Sequence, residues 1–302
     1  MTAPVFKGIT ADARRAKLRM LLNSKPCIRV LEAHSPLSAI VAERAVFREN
    51  GHAAGYDAFW SSSFTDSTLR GKPDIEMINI QNRIANLNDI FEVTTAPLIA
   101  DGDTGGKVEH FAINVRSLER IGVSAVIIED KIGLKRNSLL GRTVNQQQDA
   151  IDAFAEKIRA GRAARISNDF MIIARIESLI LDAGMDDAME RAVAYVDAGA
   201  DGIMIHSRST TPAEIFEFAK RFKRECPETP LVCVPTSYTA TRFFELENAG
   251  FNIVIYANHM LRSAHIAMQN VAAKILRYGR TLEVEPDCTG MDELLALIPG
   301  AK

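Results

Sequence analysis

The chain has 302 residues, 47% hydrophobic and 25% charged, with 36 basic against 38 acidic side chains and a net charge of −2. That balance excludes a strongly basic nucleic-acid surface or an acidic tail as the main theme, and no apolar run reaches the roughly 18 residues of a membrane span. The polar stretch 1–17 lacks the apolar core of a signal peptide, and Cys27, Cys226, Cys233 and Cys288 form no C-x-x-C pair, so a cytoplasmic protein without zinc knuckle or disulfide framework is expected, with no nucleic-acid or membrane partner.

A helix is expected over about 11–24, followed by short, continuously apolar runs at 28–33, 55–60, 97–100, 125–128, 171–176, 202–205, 231–234 and 253–256. Runs of this kind read as strands buried on both faces, as a parallel sheet requires. Amphipathic stretches lie between them: Val108, Phe111, Ala112, Val115, Leu118 and Ile121 share one helical stripe. The strands recur every ~32 residues, one βα unit each, and Asn50-Gly51, Ile121-Gly122, Ala198-Gly199 and Ala249-Gly250 read as glycine-terminated helix ends. Eight such units predict a single α/β domain, a (β/α)8 TIM-type barrel, with an open doubly wound sheet as the alternative. The connections 61–75 and 131–147 are long enough for lids or binding loops. The alanine-rich stretch 260–278 predicts a last long helix covered by something, another subunit included. A short tail, about 281–302, carries a helical piece near 291–297.

Chemistry in such a barrel sits at the C-terminal strand ends, and each run from the second onward ends in a polar cluster. Asp101, Asp103 and Glu129, joined by Asp74 from the first long loop, would crowd like charges; a hard divalent cation, Mg²⁺ or Mn²⁺, relieves this. The bland alternatives are that Asp101 and Asp103 cap the following helix and that Glu129 pairs with a lysine. Arg175, His206 and Lys135 would surround the same place and suit an anionic, multiply charged substrate; here the bland readings are an Arg175–Glu177 ion pair and a satisfied histidine. Trp60 alone reads as core, whereas the amides of Ser62, Ser63 and Phe64 can cradle an anion. The residues alone therefore reach a metal-assisted enzyme for a small polyanion beneath a lid.

The run Glu129-Asp130-Lys131-Ile-Gly-Leu-Lys135-Arg-Asn137-Ser138 resembles the E-D-K-x-x-x-K-x-N-S lid of phosphoenolpyruvate mutase, in the isocitrate lyase/phosphoenolpyruvate mutase superfamily. The likeness runs from about residue 29 to 299 and includes Trp60-Ser-Ser-Ser, Asp101-Gly-Asp-Thr-Gly, Ile173-Ala-Arg-Ile-Glu177, Met204-Ile-His-Ser207, Val234-Pro-Thr236 and Tyr256-Ala-Asn-His259. It implies Mg²⁺-dependent interconversion of phosphoenolpyruvate and phosphonopyruvate, the carbon–phosphorus bond-forming step of phosphonate biosynthesis. Asp101 would hold the metal, with Asp74, Asp103 and Glu129 reaching it through water. Trp60, Ser62, Ser63 and Phe64 would bind substrate, Arg175 and His206 would meet it or its phosphoryl group, and Lys135, Asn137 and Ser138 would arrive with the closing lid. Asp74 is also the candidate acceptor if the phosphoryl group is captured in transit, although a loose transition state favours transfer without such capture. A homotetramer of dimers exchanging the last barrel helix is implied as well.

Two departures stand out: Ser-Ser-Ser-Phe where animal mutases have Gly-Ser-Gly-Leu, and Ile-Gly-Leu in place of a Phe-Pro pair, which gives a more flexible lid. Phosphonopyruvate hydrolase, the nearest alternative, typically has Thr where Asn137 stands. Isocitrate and methylisocitrate lyases carry a lid cysteine, and residues 131–147 contain none. A catalytically silent barrel is the remaining alternative.

Overall fold

The computed structural model describes residues 8–298; residues 1–7 of the polar N-terminal segment and 299–302 of the tail, with the end of the stretch carrying the resemblance, lie outside them. Eight parallel strands form a closed barrel: β1 (Ile28–Glu32), β2 (Ala58–Ser61), β3 (Leu98–Asp101), β4 (Ala125–Glu129), β5 (Met171–Ile176), β6 (Gly202–Ile205), β7 (Leu231–Cys233) and β8 (Ile253–Tyr256). β1 closes the ring by pairing on both edges, Ile28 opposite Ile253 and Val30 opposite Ala58, which excludes the open sheet.

The strands read as unbroken apolar runs because each feeds two cores. Val30, Ile99, Ile127, Ile173, Val232 and Ile255 fill the barrel interior with Trp60, and Leu18 from the helix Ala11–Ser24 joins them. The alternate residues Leu98, Ala100, Val126, Ile128, Ile172 and Ala174 pack outward with helix residues such as Phe111, Phe154, Phe218 and Phe222.

Three of the four glycine joints end helices as expected: Gly122, Gly199 and Gly250 all have φ near +97°. Asn50-Gly51 does not. Its two residues, with φ of 49° and 80°, turn an antiparallel hairpin between Val46–Glu49 and His52–Gly55. Asn-Gly suits a type I′ turn as well as a helix end, since both need left-handed residues. Strand two accordingly starts at Ala58, later than the apolar run suggests, because Gly55 belongs to the hairpin.

Both long connections are structured. After β2 the helix Ser63–Leu69 is capped by Ser62, whose hydroxyl accepts from Thr65 N at 3.3 Å. After β4 the chain pairs Lys131–Ile132 with Gln147–Gln148 at its root and forms a short helix, Ser138–Thr143, between them. The last long helix, His259–Tyr278, buries only Leu261 and leaves Ile266, Met268 and Leu276 at 54%, 59% and 86% exposure. The tail helix spans Met291–Leu297.

Candidate active site

The turn after β3 brings the acids together. Gly102 cannot be replaced without displacement, since a Cβ there would lie 2.7 Å from Val126 Cγ2 and 2.9 Å from the Ile127 carbonyl. Asp103 takes a left-handed φ of 54°. Neither aspartate caps the following helix, whose N-cap is Lys107 with no side-chain bond. Asp101 instead accepts from Ser63 through both its hydroxyl (2.7 Å) and its N–H (3.2 Å), and from Asp103 N at 3.2 Å.

Lys135 stands at the focus of this cluster. Its ammonium donates to Asp74 Oδ1 at 2.6 Å, to Ser63 Oγ at 2.7 Å and to Asp103. The lid's Asn137 reaches Asp74 Oδ2 at 3.4 Å. Burial lowers the pKa of Lys135, but Asp103, Asp101, Glu129 and Asp74 outweigh it and fix the ammonium. Burial pushes Asp103 up to about 7 against the pull of Lys135. Asp101 falls below its usual range, because Lys135, Arg83 and Arg175 overcome the same burial.

A second cluster surrounds Glu177. Arg175 Nε donates to Glu177 Oε1 at 2.6 Å, and its Nη2 donates to Ser138 Oγ at 2.6 Å and to His206 Nδ1 at 2.7 Å. The bland Arg175–Glu177 pair is thus real, and it holds the arginine against the lid. Ser138 in turn donates to Glu177. Burial resists the charge on Glu177, yet Arg175 and Lys131 hold its carboxyl well below the ordinary range. Burial and then Arg175 lower the His206 pKa. The ring is therefore neutral, and with Nδ1 accepting from Arg175 its proton is assigned to Nε2. Lys131 pins the lid from beneath: its ammonium donates to Arg136 O, Ser138 Oγ and Gln146 Oε1, each at 2.9 Å. It also pairs with Glu129 at 3.1 Å, the lysine partner the bland reading supposed, and with Glu177 at 3.3 Å.

Trp60, Ser62, Ser63, Phe64, Asp74, Asp101, Glu129, Lys135, Asn137, Ser138, Arg175 and His206 all line one cavity of about 630 Å³ at the C-terminal mouth of the barrel. Trp60 does so while also packing in the interior core. Asp103 is the exception: it lies behind Lys135 and lines a neighbouring cavity of about 430 Å³ with Glu76 and His110. The anion cradle differs from expectation. Ser63 spends its N–H on Asp101, so that turn orients the acid, while the Ser62 hydroxyl accepts from Thr65 and keeps its proton to donate. Sequence reasoning named Glu177 only as the bland ion-pair partner of Arg175 and did not single out Lys131, although both stand in polar runs at strand ends, and it gave no role to Thr236, Asn258 and Arg262 of the cavity wall. Arg83 and Asp66, buried behind the wall, carry no sequence signal.

The acids do not converge on an open ion position, as the sequence suggested. Among the described residues no three His, Cys, Asp or Glu side chains are grouped as a metal site, because the Lys135 ammonium sits among them. The chemistry nonetheless fits a divalent cation: the donors are all hard oxygens, and a positive charge, the Lys135 ammonium, already stands at their focus.

Comparison with known proteins agrees with this architecture. A family described as "Phosphoenolpyruvate phosphomutase" matches residues 18–276. The phosphonopyruvate hydrolase of Variovorax sp. (strain Pal2) is 38% identical over 285 residues, 93% of each chain. The crystal structure of phosphoenolpyruvate phosphomutase from Streptomyces platensis subsp. rosaceus superposes with a TM-score of 0.86 at 35% identity, over 94% of each chain. A phosphonopyruvate hydrolase in complex with oxalate and Mg²⁺ gives 0.83 at 34% identity, again over 94% of each chain.

Proposed function

The chain belongs to the phosphoenolpyruvate phosphomutase family and is an enzyme of the phosphoenolpyruvate mutase/isocitrate lyase superfamily, and on that premise we propose that it interconverts phosphoenolpyruvate and phosphonopyruvate with Mg²⁺, or Mn²⁺ in its place. The observation that carries the reading is the reach of the lid. Lys135, Asn137 and Ser138 all contact groups of the barrel mouth, enclosing a space for a small polyanion.

In this reading Asp101 would hold the cation directly, and Asp74, Asp103 and Glu129 would act on it through water. When bound, the metal supplies a positive centre for the substrate's oxygens. The chain's own groups do the rest. Arg175, His206 Nε2–H, Lys135 and the Ser62 hydroxyl face the anionic substrate as donors. The O–P bond of the enol phosphate breaks, the enol oxygen becomes a ketone, and the electron pair at the methylene carbon takes the phosphoryl group. No proton is gained or lost. Such a loose transfer needs positioning and charge neutralisation more than a nucleophile; Lys135 and Arg175 supply the positive charge, and Asp74, its oxygens engaged by Lys135 and Asn137, is set to hold the lid rather than to attack. The closed lid excludes water, which would divert the phosphoryl group to phosphate.

Phosphonopyruvate hydrolysis is the second reading, favoured by the 38% identical hydrolase. Phosphorus NMR of the protein with phosphonopyruvate and Mg²⁺ separates the two. Phosphoenolpyruvate marks the mutase, inorganic phosphate marks the hydrolase, and no change overturns both and points to carbon–carbon lyase chemistry instead.

We also propose a cytoplasmic homotetramer in which partners exchange the helix His259–Tyr278. The apolar side chains exposed on that helix, and Leu37, Val41 and Phe244 at 51%, 45% and 50% exposure on the helices that follow β1 and β7, support this. Sedimentation analysis showing only a monomer would refute it.

A further inference from the structure

Arg83, on the helix Ile80–Val93, is 1% exposed and lies outside the substrate cavity. Its guanidinium ties together the ends of the two strands that carry Asp101 and the Ser63 turn. Nε donates to Asp66 Oδ2 at 2.6 Å, Nη2 donates to the Ser61 carbonyl and hydroxyl at 2.7 Å each, and Nη1 donates to the Asp101 carbonyl. Ser61 lies two residues before Ser63, and Ser63 grips the Asp101 carboxylate with its N–H and hydroxyl. One rigid fork therefore sets both partners of the Ser63–Asp101 contact, donor and acceptor alike.

We propose that Arg83, oriented by Asp66, is a positioning residue that fixes Asp101 for a divalent cation, an inference that rests on the metal reading above. Asp66 serves Arg83 above all. Its side chain is 3% exposed on a seven-residue helix, paired with Arg83 and, more loosely, with Arg70 at 3.8 Å. A lysine at position 83 would keep the charge beside Asp66, but its three donors converge on one nitrogen, whereas the acceptors here are spread along the guanidinium from Nε to Nη1 and Nη2. The competing explanation is that Arg83 merely glues the barrel.

Arg14 supplies the control. It is also 1% exposed, and it holds the carbonyls of Ala96 (2.8 Å), Phe91 (3.0 Å) and Thr94 (2.5 Å) at the opposite end of the same strand, β3. Mn²⁺ binding is measured by the electron paramagnetic resonance of free Mn²⁺ on the full chain, as wild type, Arg83→Lys and Arg14→Lys, with thermal unfolding followed in parallel. Trp60, the only tryptophan, immediately precedes Ser61 and reports on that strand end by fluorescence. The expected result is Mn²⁺ affinity lowered about 10-fold or more in R83K, as when an outer partner of a metal ligand is removed, with an altered Trp60 emission. R14K is expected to lose thermal stability but to bind as wild type.

Wild-type affinity in R83K, or equal loss in both variants, overturns the proposal while leaving the metal reading intact. A wild-type protein that binds no Mn²⁺ overturns both. Should R83K fail to fold, Asp66→Asn is measured the same way: weakened binding supports the proposal and unchanged binding refutes it.

Discussion

Lys135 and Asp74, 61 residues apart in sequence, are joined at 2.6 Å across the barrel mouth. The first comes from the loop after β4 and the second from the loop after β2, so this pair is where the two long connections meet. It closes the site and puts a fixed positive charge among the acids.

Asp101 is held in its ionised form by Ser63 and by the surrounding cations. Asp101→Ala is expected to lower turnover by ~10³-fold or more, the scale for losing a principal electrostatic group, with an unchanged far-ultraviolet circular dichroism spectrum. Turnover within tenfold of wild type would remove the metal argument.

Asn137 touches Asp74 from the lid. A threonine there is shorter and lacks the amide donor. Asn137→Thr should raise phosphate release relative to isomerisation, read as the ratio of the two phosphorus signals. Unchanged partitioning would count against the lid's role in choosing the product.

Lys131 bonds three lid groups from below. Lys131→Met removes all three and leaves Glu129 and Glu177 without their nearest lysine. Faster proteolytic cleavage within residues 132–147 is expected, together with a larger share of phosphate among the products. A lid as resistant as that of the wild type would show that Lys131 is not its anchor.

His206 sets a pH dependence. Burial and Arg175 hold its folded pKa below 6.5, so under acid conditions the unfolded chain binds a proton that the folded protein refuses. The stability from this group is complete above pH 6.5 and is lost as pH falls through the lower folded value. The difference in Tm between wild type and His206→Asn should therefore shrink as pH drops below 6.5. A difference independent of pH across that range would mean that His206 is not held neutral.

The barrel was legible because strands buried on both faces leave continuous apolar runs, and because Gly122, Gly199 and Gly250 mark left-handed helix ends. Asn50-Gly51 misled because the same backbone conformation serves a hairpin. The polar residues at the strand ends were legible too, since the fold gathers those ends, and all the candidate site residues but Asp103 line one cavity. What pairs with what was not. Lys135 occupies the focus assigned to an ion, and Ser63 serves Asp101 rather than a free anion. The work of Arg83 depends on Asp66, Ser61 and Asp101, partners that come together only after folding, so its sequence neighbourhood reads as an ordinary amphipathic helix.

The two strands at the root of the lid, Lys131–Ile132 and Gln147–Gln148, leave and rejoin the barrel side by side. Everything between them hangs from a single stem. Such a cover can be lengthened, stiffened or rewritten without re-registering any of the eight staves beneath it. A change in which molecules are shut out, or in how long they are held, can thus arise within one short insert while the vessel stays the same.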